Sequence, residues 1–324
     1  MQKKIIILTA SLGNGHKTAA LGIKKQLETS GDIKNIEIID ITKKYLAGKI
    51  FKFIFEKSSF WILEKIYTAT NKPKFSWLDK FFINMCFYRL NTKLQKIINN
   101  NKDTVELYIT FPILQILDVC YTKNIKIIMQ CTDFYTPHFS WAWNSKNISE
   151  IRVLDKHSTI HIANNLTLYD KNVANKIKIS EFPLIISDKS SKPSNNSKII
   201  LCFFHNVLLG NEEEIIQKIL ASEKYKNYKI IILAGKNKIK IKKFLCFQTS
   251  IQKSNYEILG WIKPSEINKY YDTSEIVAGK CGGAFIAEVV KLQKKVIITG
   301  VFSLQEEGNF QYLKEYHSHL MIDL

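Results

Sequence analysis

Short runs of apolar, β-branched residues alternate along the chain with segments in which apolar residues recur every three or four positions. The first pattern predicts β-strands and the second predicts amphipathic helices. Strands are predicted in the first half at 4–9, 36–41, 106–110, 125–130 and 159–163. In the second half they are predicted at 199–203, 229–234, 256–259, 275–278 and 295–299. Helices are predicted between them, for example at 17–29, 212–222, 264–271 and 284–292.

Strand–helix alternation on both sides of one polar segment, "SDKSSKPSNNSK" (187–198), predicts two α/β domains with parallel sheets. Several of the strands are almost entirely apolar, as expected for strands covered by helices on both faces. We place the domains at 1–183 and 184–324. Ligands in such sheets bind at the carboxyl ends of strands. Candidate chemistry is therefore expected in the loops that follow Thr9, Thr110, Gln130, Leu259 and Ala278.

Composition narrows the class of protein. With 46% apolar residues and ordinary glycine and proline contents, the 324-residue chain is expected to fold rather than to be disordered. The apolar run at the N-terminus is too short for a signal peptide and is interpreted as the first strand. No stretch of about 18 uncharged apolar residues is present, so no membrane-spanning helix is expected. Six scattered cysteines fit a reducing compartment and give no support for a zinc site.

The net charge of +18 is unevenly distributed. The window 43–100 holds twelve Lys/Arg against three acidic residues, together with thirteen of the 38 aromatic residues. We interpret this window as an insertion, a long stretch of basic, aromatic helix that replaces a compact strand-to-strand connection. Cations interleaved with aromatics suit a helix in the headgroup layer of an anionic membrane. Nucleic acid also attracts such a surface, and an ordinary core helix in a lysine-rich protein is the third interpretation.

The loop after the first predicted strand, "TASLGNGHKTAA" (9–20), carries a histidine where a helix is predicted to begin. It matches neither phosphate-binding fingerprint. Ser11 and His16 stand where a P-loop needs glycines, and Thr18 stands where the dinucleotide motif needs its third glycine. His16 would lie beside free backbone N–H groups, and imidazole suits a general base toward a hydroxyl. A histidine that only caps or packs is the alternative, which the loop taken alone favours.

The loop after the fourth predicted strand, "CTDFYTPHFSW" (131–141), brings Asp133, His138 and Trp141 together at a strand end. An acid, an imidazole and an indole could hold a molecule with a polar head and an apolar body. Taken alone, this group favours a structural role over a catalytic one.

In the second half, "AGKCGGAFIAEVV" (278–290) has the order strand, Gly282-Gly283, helix. Paired glycines let a diphosphate approach the N–H groups of a helix N-terminus, although a tight turn that binds nothing is equally open. Glu288 follows on the predicted helix and could accept hydrogen bonds from a ribose diol.

The segment "TGVFSLQEEGNF" (299–310) follows the next predicted strand. Gln305, Glu306 and Asn309 form a cluster of donors and acceptors suited to sugar hydroxyls. On its own, such a cluster more often marks a solvated loop.

These segments resemble, in order, those of the monogalactosyldiacylglycerol synthases and the bacterial processive diacylglycerol glucosyltransferases. More distantly, they are similar to the UDP-GlcNAc transferase that makes peptidoglycan lipid II. Seven collinear blocks cover nearly the whole chain: "ASLGNGHKTAA", "TFP" (110–112), "TDFYTPHFSW", "ILAGKN" (232–237), "ILGWI" (258–262), "GKCGGAFIAEVV" and "QEEGN" (305–309). The last two blocks are the most diagnostic pair.

The resemblance implies an α/β protein of the GT-B fold, with two Rossmann-like domains facing a central cleft. It implies an inverting transferase that moves galactose or glucose from UDP-hexose to 1,2-diacylglycerol without a cofactor or catalytic metal. The partners implied are a UDP-sugar, diacylglycerol and an anionic membrane surface, with no nucleic acid. The expected location is the cytoplasmic face of a membrane, on which the 43–100 insertion docks.

Positions carried over from the family give each candidate residue a role. On the donor side, the backbone around Trp261 and Ile262 would hold uracil and Glu288 the ribose. Gly282 and Gly283 would face the diphosphate, and Gln305, Glu306 and Asn309 the hexose. On the acceptor side, His16 would be the catalytic base with Asp133 beside it. The acceptor site would also be lined by Asn14, Gly15, Pro112, His138 and Trp141.

The chain departs from the family pattern at several places. The glycine-rich loop after the first C-terminal strand is "CFFHNVLLGNEE" (202–213), which keeps His205 but lacks close glycines. The interdomain pattern becomes "EFPLIIS" (181–187), which keeps Pro183, and Cys281 stands where the family has a small residue or proline. The C-terminus is shorter than is usual, ending at "HLMIDL", so a weakened enzyme is expected. A transferase to a polyprenyl-diphosphate sugar and a non-catalytic remnant of the family stay open as alternatives.

Overall fold

The computed structural model describes residues 4–12, 15–31, 35–58, 60–72, 76–101, 103–166, 172–186, 198–204, 212–236, 238–251, 255–263 and 266–324. The chain forms two compact units. The N-terminal unit consists of Met1–Leu184 with Ser303–Gly308, and the C-terminal unit consists of Ile185–Phe302 with Asn309–Leu324.

The N-terminal unit contains a parallel sheet in which six described strands follow the order β2-β1-β3-β4-β5-β6. The central strands β1 and β3 are buried at every position, because helices cover both faces of the sheet. The strands are β1 (Ile5–Thr9), β2 (Ile36–Asp40), β3 (Val105–Ile109), β4 (Ile125–Gln130), β5 (Glu150–Val153) and β6 (Ile177–Ile179). The helices are α1 (Gly15–Thr29), α2 (Ile41–Lys44), α3 (Leu46–Lys57), α4 (Phe60–Thr70), α5 (Trp77–Cys86), α6 (Tyr88–Asn99), α7 (Lys156–Leu166) and α8 (Val173–Lys176).

The strand predicted at 159–163 is wrong, because these residues lie inside helix α7. Asp155 stands immediately before the helix, and its carboxylate accepts hydrogen bonds from Ser158 N at 2.8 Å and Ser158 Oγ at 2.7 Å. This is the side-chain cap that stabilises the start of a helix. The last strands of the sheet are instead β5 and β6, whose short sequences "EIRV" and "IKI" carry charged residues.

The C-terminal unit contains a second parallel sheet, with its five described strands in the order β11-β10-β7-β8-β9. Its strands are β7 (Ile199–Phe203), β8 (Lys229–Leu233), β9 (Tyr256–Leu259), β10 (Ile276–Lys280) and β11 (Lys295–Gly300). Its helices are α9 (Glu212–Ala221), α10 (Lys238–Ile251), α11 (Ile267–Thr273), α12 (Gly283–Leu292) and α13 (Ser303–Tyr316), of which the first six residues belong to the N-terminal unit. The interpretation of the cluster of Gln305, Glu306 and Asn309 as a solvated loop is wrong, because these residues lie on α13 and Glu306 and Asn309 are buried.

The window 43–100 forms a series of short helices rather than one long stretch. Helix α6 packs inward, since Leu90, Leu94 and Ile98 belong to the core of the N-terminal unit. By contrast, α3, α4 and α5 expose apolar side chains, including Trp77, which is 74% exposed. Of the 22 large hydrophobic side chains that the described residues expose, fourteen lie between Leu46 and Tyr88. This part of the window is therefore not plain protein interior.

Among the described helices, none combines the length and the apolar character that a membrane crossing requires.

Helix α1 packs very closely against the backbone near the end of the N-terminal unit. A Cβ atom added to Gly22 would lie 1.9 Å from the carbonyl oxygen of Pro183. The glycine is needed here because it has no side chain, which lets the helix and this segment meet.

We predict that Gly22→Ala destabilises the protein by about 1–3 kcal/mol, the usual cost of overpacking. Helix propensity alone predicts a gain of about 1 kcal/mol from the same change. Denaturant unfolding measures the difference. Gly260→Ala is the matched control, since the nearest atom to its added Cβ is 3.6 Å away. A Gly22→Ala protein as stable as the control would contradict the predicted clash.

Candidate functional site

The carboxyl end of β2 holds the loop that follows β1. The carboxylate of Asp40 accepts hydrogen bonds from Ser11 Oγ at 2.5 Å and from Thr42 Oγ1 at 2.6 Å. Although burial opposes ionisation, these bonds lower the pKa of Asp40 below its usual value. The loop is thereby fixed before α1 begins at Gly15, while Asn14 lies outside the described residues.

His16 lies in the first turn of α1 and is held in one tautomer. Its Nδ1 is 2.6 Å from the carbonyl oxygen of Thr110, at the end of β3. A carbonyl only accepts, so Nδ1 carries the proton and Nε2 keeps the lone pair. Burial lowers the pKa of His16 to about 4, although the bond to Thr110 opposes the shift. At neutral pH the ring is therefore uncharged, with Nε2 as a proton acceptor.

The surroundings of His16 come from the segments that follow two strands, β3 and β4. Phe111 packs edge-on against the ring with centroids 5.1 Å apart, and the Trp141 ring lies at 6.1 Å. Thr132 Oγ1 lies 3.3 Å from His16 Nδ1 and donates a hydrogen bond to Asp133 Oδ2 at 3.1 Å. Because the threonine proton is directed at the carboxylate, its oxygen is free to accept from Nδ1–H. The structure thus links His16 to Asp133 through Thr132.

His138 makes hydrogen bonds through both ring nitrogens. Nδ1 accepts from the Ser140 N–H at 3.0 Å, so Nε2 carries the proton. Nε2 is directed at the end of α4, where it lies 3.3 Å from Thr70 Oγ1 and donates to the carbonyl of Tyr67. Burial lowers the pKa of His138 to about 4 and keeps the ring neutral. The geometry gives His138 a linking role and leaves neither nitrogen free to act as a base.

Three further contacts join α4 and the residues after it to the loop that follows β4. Asn71 Oδ1 accepts from the Phe139 N–H at 2.9 Å, and Trp143 Nε1 donates to the Lys72 carbonyl at 2.7 Å. The Tyr67 ring packs edge-on against the His138 ring at 4.7 Å. Helix α4 of the 43–100 window, with the two residues after it, is therefore bonded directly to the loop that carries His138.

Backbone strain is concentrated in the same loops. Ile113, after the half-buried Pro112, has φ of 80°, and Tyr135 has φ of 64°. Both residues are in the left-handed region that L-residues with bulky side chains disfavour, and such strain clusters at functional sites. The Tyr135 N–H donates to Asp155 Oδ2 at 2.8 Å, which fixes this conformation.

In the C-terminal unit, Gly282 and Gly283 follow β10 at the start of α12. Gly282 caps the helix with an extended backbone (φ −78°, ψ 145°), and Gly283 is the first helical residue. The Gly282 conformation is open to any residue, so it is the missing side chain that matters here. The Gly282 N–H donates to the carbonyl of Lys280 at 2.8 Å. The lack of side chains at both positions suits the approach of an anion to the N–H groups that begin at Gly283, as at other phosphate-binding helix N-termini.

Glu288 lies on α12, and its Oε2 accepts a hydrogen bond from Tyr271 Oη at 2.5 Å. Burial raises the pKa of Glu288 to about 7, although the tyrosine hydrogen bond opposes the shift. The carboxyl group is therefore balanced between its two protonation states near neutral pH.

The segment "QEEGN" lies on α13 and is divided between the two units, since Gly308 is the last residue assigned to the N-terminal unit and Asn309 belongs to the C-terminal unit. Asn309 is fully buried and donates from Nδ2 to the carbonyl of Cys281 at 3.0 Å, within the C-terminal unit. Glu306 is buried in the N-terminal unit, and the side chain of Gln305 lies outside the described part of the chain.

Gly308, in the N-terminal unit, lies against the turn that follows β4. A Cβ atom there would lie 2.3 Å from Thr136 Oγ1 and 2.8 Å from the carbonyl oxygen of Phe134. The glycine of "QEEGN" therefore permits a close approach between the first turns of α13 and the loop that carries Asp133.

Trp261 and Ile262 lie in the loop that follows β9. The indole of Trp261 is 48% exposed, and Lys236 Nζ lies 4.3 Å from its ring centroid. Ile262 is half-buried. Lys236 follows β8 and Trp261 follows β9, so Lys236 and Trp261 meet at the carboxyl edge of the sheet, where ligands bind in this class of fold.

No group of three or more His, Cys, Asp or Glu side chains suited to a metal ion is found among the described residues.

Sequence reasoning missed the partners that orient the candidate residues. Thr110 and Thr132 follow predicted strands, and their positions at strand ends were the available signal. Tyr67 and Tyr271 gave no signal, because each reaches its partner only through tertiary packing. His205 and its loop lie outside the described residues.

No family model matches the chain. Among curated proteins, it is 25% identical over 325 residues to a processive diacylglycerol β-glucosyltransferase of Staphylococcus saprophyticus, with 97% of this chain and 79% of the relative covered. It is 24% identical to the protein of that name from Bacillus pumilus, with 99% and 83% covered.

Solved structures extend the likeness at the level of the fold. MurG of Acinetobacter baumannii has a TM-score of 0.53 at 12% identity, over 96% of this chain and 83% of MurG. The S. aureus MnaA–UDP co-structure has a TM-score of 0.56 at 12% identity, over 98% and 89%. The fold is that of the GT-B glycosyltransferases. The predicted fold class and the resemblance to the diacylglycerol glucosyltransferases are thus confirmed.

Proposed function

We propose that this protein is an inverting GT-B glycosyltransferase that moves a hexose from UDP-hexose to the hydroxyl of 1,2-diacylglycerol. The observation that carries the proposal is His16, a neutral imidazole whose Nδ1 is bonded to Thr110 and whose Nε2 lone pair remains available. Similarity to the diacylglycerol glucosyltransferases over nearly the whole chain supports the substrate class.

In the proposed reaction, the oxygen of the lipid hydroxyl attacks C1 of the hexose from the face opposite the diphosphate. The C1–O bond to UDP breaks, UDP leaves with that electron pair, and the hydroxyl proton passes to His16 Nε2. The positive charge that forms on His16 is stabilised by Asp133 through Thr132 Oγ1, which lies 3.3 Å from Nδ1. A base placed in this way contributes about 10²–10⁴ to the rate.

The donor is proposed to bind at the carboxyl edge of the C-terminal sheet. The N-terminus of α12, which begins at Gly283 directly after Gly282, suits the diphosphate and would neutralise part of its charge without a metal. Glu288 would accept from the ribose diol, and the backbone at Trp261 and Ile262 would hold uracil. Gln305, Glu306 and Asn309 remain the proposed hexose ligands.

The proposed membrane surface is the exposed apolar part of α3, α4 and α5. Cations lie among its aromatics, as where Lys65 Nζ lies 3.7 Å from the Trp61 ring centroid. A groove of about 410 Å³ on neighbouring α6 is lined partly by Arg89, Lys93 and Lys96. Apolar side chains surrounded by cations suit an anionic leaflet, so we propose a peripheral location at the cytoplasmic face of a membrane.

Transfer to diacylglycerol is tested with purified protein, anionic vesicles containing diacylglycerol, and radiolabelled UDP-glucose or UDP-galactose. We predict a labelled glycolipid on thin-layer chromatography with one of the donors. His16→Ala is expected to lower the initial rate by about 10²–10⁴, since it removes only the base. Its UDP affinity should stay unchanged, because UDP is proposed to bind in the C-terminal unit.

His157→Ala is the control, since this histidine stacks on Tyr135 outside the proposed proton path. Absence of glycolipid with either donor would contradict the proposal. Transfer of label to a polyprenyl-diphosphate sugar would show that this lipid, and not diacylglycerol, is the acceptor. Binding of UDP without turnover on any acceptor would favour a non-catalytic remnant.

Membrane docking is tested by replacing three exposed residues of α5, Trp77, Phe81 and Phe82, with serine. We predict at least a tenfold weaker association with anionic vesicles in a co-sedimentation assay, because about 1.5–3 kcal/mol of burial is lost for each side chain that inserts. The control is the double variant of Leu245 and Tyr316, which are exposed outside the window. Equal association of the two variants with the vesicles would show that α5 is not part of the membrane-binding surface.

A further inference from the structure

Tyr271 is a fully buried tyrosine whose hydroxyl has a specific partner. Its side chain has no exposed surface, and Oη donates to Glu288 Oε2 at 2.5 Å. A buried hydroxyl needs a hydrogen-bond partner, and a carboxylate is the strongest acceptor among the side chains. The same bond leaves the second carboxylate oxygen of Glu288 without a hydrogen bond from any described residue.

Aromatic packing fixes the position of this hydroxyl. The Tyr271 ring stacks on Phe203, at the end of β7, with centroids 5.2 Å apart and an interplanar angle of 29°. Phe203 in turn contacts Phe285 of α12 at 5.4 Å. Phe285 fits over β10 only because position 279 is glycine, where an added Cβ would lie 2.9 Å from the ring. The phenol is therefore held by groups from two strands and a helix, and it has little freedom to turn away from Glu288.

Among the described residues, no charged group is found to alter the ionisation of Glu288. Burial and the Tyr271 hydrogen bond are the two causes of its shifted pKa. Within the described residues it forms no ion pair, and its hydrogen-bond partner is Tyr271 from α11, whose ring in turn stacks on the uncharged Phe203 from β7. The tyrosine hydroxyl is thus the group that favours the carboxylate form in a site where burial opposes it.

We propose that Tyr271 is a positioning residue for the donor nucleotide, which holds Glu288 Oε2 so that Oε1 accepts the hydrogen bond of the ribose 2′-hydroxyl. This inference rests on the proposed function, in which Glu288 binds the ribose. Tyr271 itself does not touch the nucleotide. It acts by fixing the orientation of the carboxyl group and by keeping it ionised.

The protonation equilibrium of Glu288 determines how nucleotide affinity changes with pH. Its pKa of about 7 means that the carboxylate, the form that accepts from the ribose, increases as the pH rises through neutrality. Loss of the tyrosine hydroxyl removes the group that lowers this pKa, so the rise in nucleotide affinity moves to higher pH. Burial and the nearby Glu288 charge raise the pKa of Tyr271 well above its usual value, so Tyr271 stays protonated throughout.

The test is calorimetric titration of the full-length protein with UDP-glucose between pH 6 and 8.5. UDP-glucose is chosen because its diphosphate diester, unlike the terminal phosphate of UDP, does not titrate in this range. We expect the wild-type affinity to rise with a midpoint near pH 7. For Tyr271→Phe we expect an affinity about tenfold lower at pH 7, a midpoint about one unit higher, and recovery toward wild type at pH 8.5.

Three controls separate positioning from packing. Tyr270→Phe changes the neighbouring tyrosine, whose ring faces Lys269 rather than Glu288, and should match wild type. Glu288→Gln should bind weakly at every pH, without the rise. With the 2′-deoxyribose analogue of UDP-glucose, the wild-type protein and Tyr271→Phe should bind equally, since the hydroxyl that Oε1 would accept is absent.

The proposal would be overturned if Tyr271→Phe left the pH midpoint unchanged. It would also be overturned if the variant lost the same affinity at every pH for both UDP-glucose and its 2′-deoxyribose analogue. If Tyr271→Phe does not fold, difluorotyrosine at position 271 keeps the shape and strengthens the donor, and the midpoint must then move below that of wild type. A wild-type protein that does not bind UDP-glucose would refute the proposed function itself. If the wild-type protein binds UDP-glucose and the Tyr271 variants bind it in the same way at every pH, only this inference is refuted.

Discussion

The structure depends on one constraint, the burial of parallel strands on both faces of a sheet. Strands of this kind have no polar face, so functional side chains are carried by the loops and helices that follow the strands. Because all strands of a sheet run in the same direction, their carboxyl ends lie along one edge. His16 and Thr110 are 94 positions apart in sequence, yet their atoms lie 2.6 Å apart where β1 and β3 end.

Burial also determines the charge of the candidate residues. It lowers the pKa of His16 to about 4 and raises that of Glu288 to about 7, so burial shifts both groups toward their neutral forms. In each case a hydrogen-bonded neighbour, Thr110 or Tyr271, opposes the shift and fixes the orientation of the group. The same packing that stabilises the sheets thus prepares a proton acceptor in one unit and a carboxyl acceptor in the other.

Sequence alone was sufficient for the buried strands and for the loops that carry the candidate residues, because long apolar runs and paired glycines are local signals. It failed at 159–163, where alternating apolar residues indicated a strand but Asp155 and Ser158 cap a helix. Strand β5 and the edge strand β6 were missed because they are short and carry charges. The contacts of Tyr67 with His138 and of Tyr271 with Glu288 arise only from tertiary packing, so no local pattern predicts them.

The central claim is that the carboxyl edge of the C-terminal sheet binds the nucleotide sugar through the N-terminus of α12. A crystal structure of the protein with UDP-glucose measures this most directly. The account predicts the diphosphate within hydrogen-bond distance of the backbone N–H groups in the first turn of α12, which begins at Gly283, with the ribose on Glu288. A nucleotide bound elsewhere, with the start of α12 left to solvent, would contradict it.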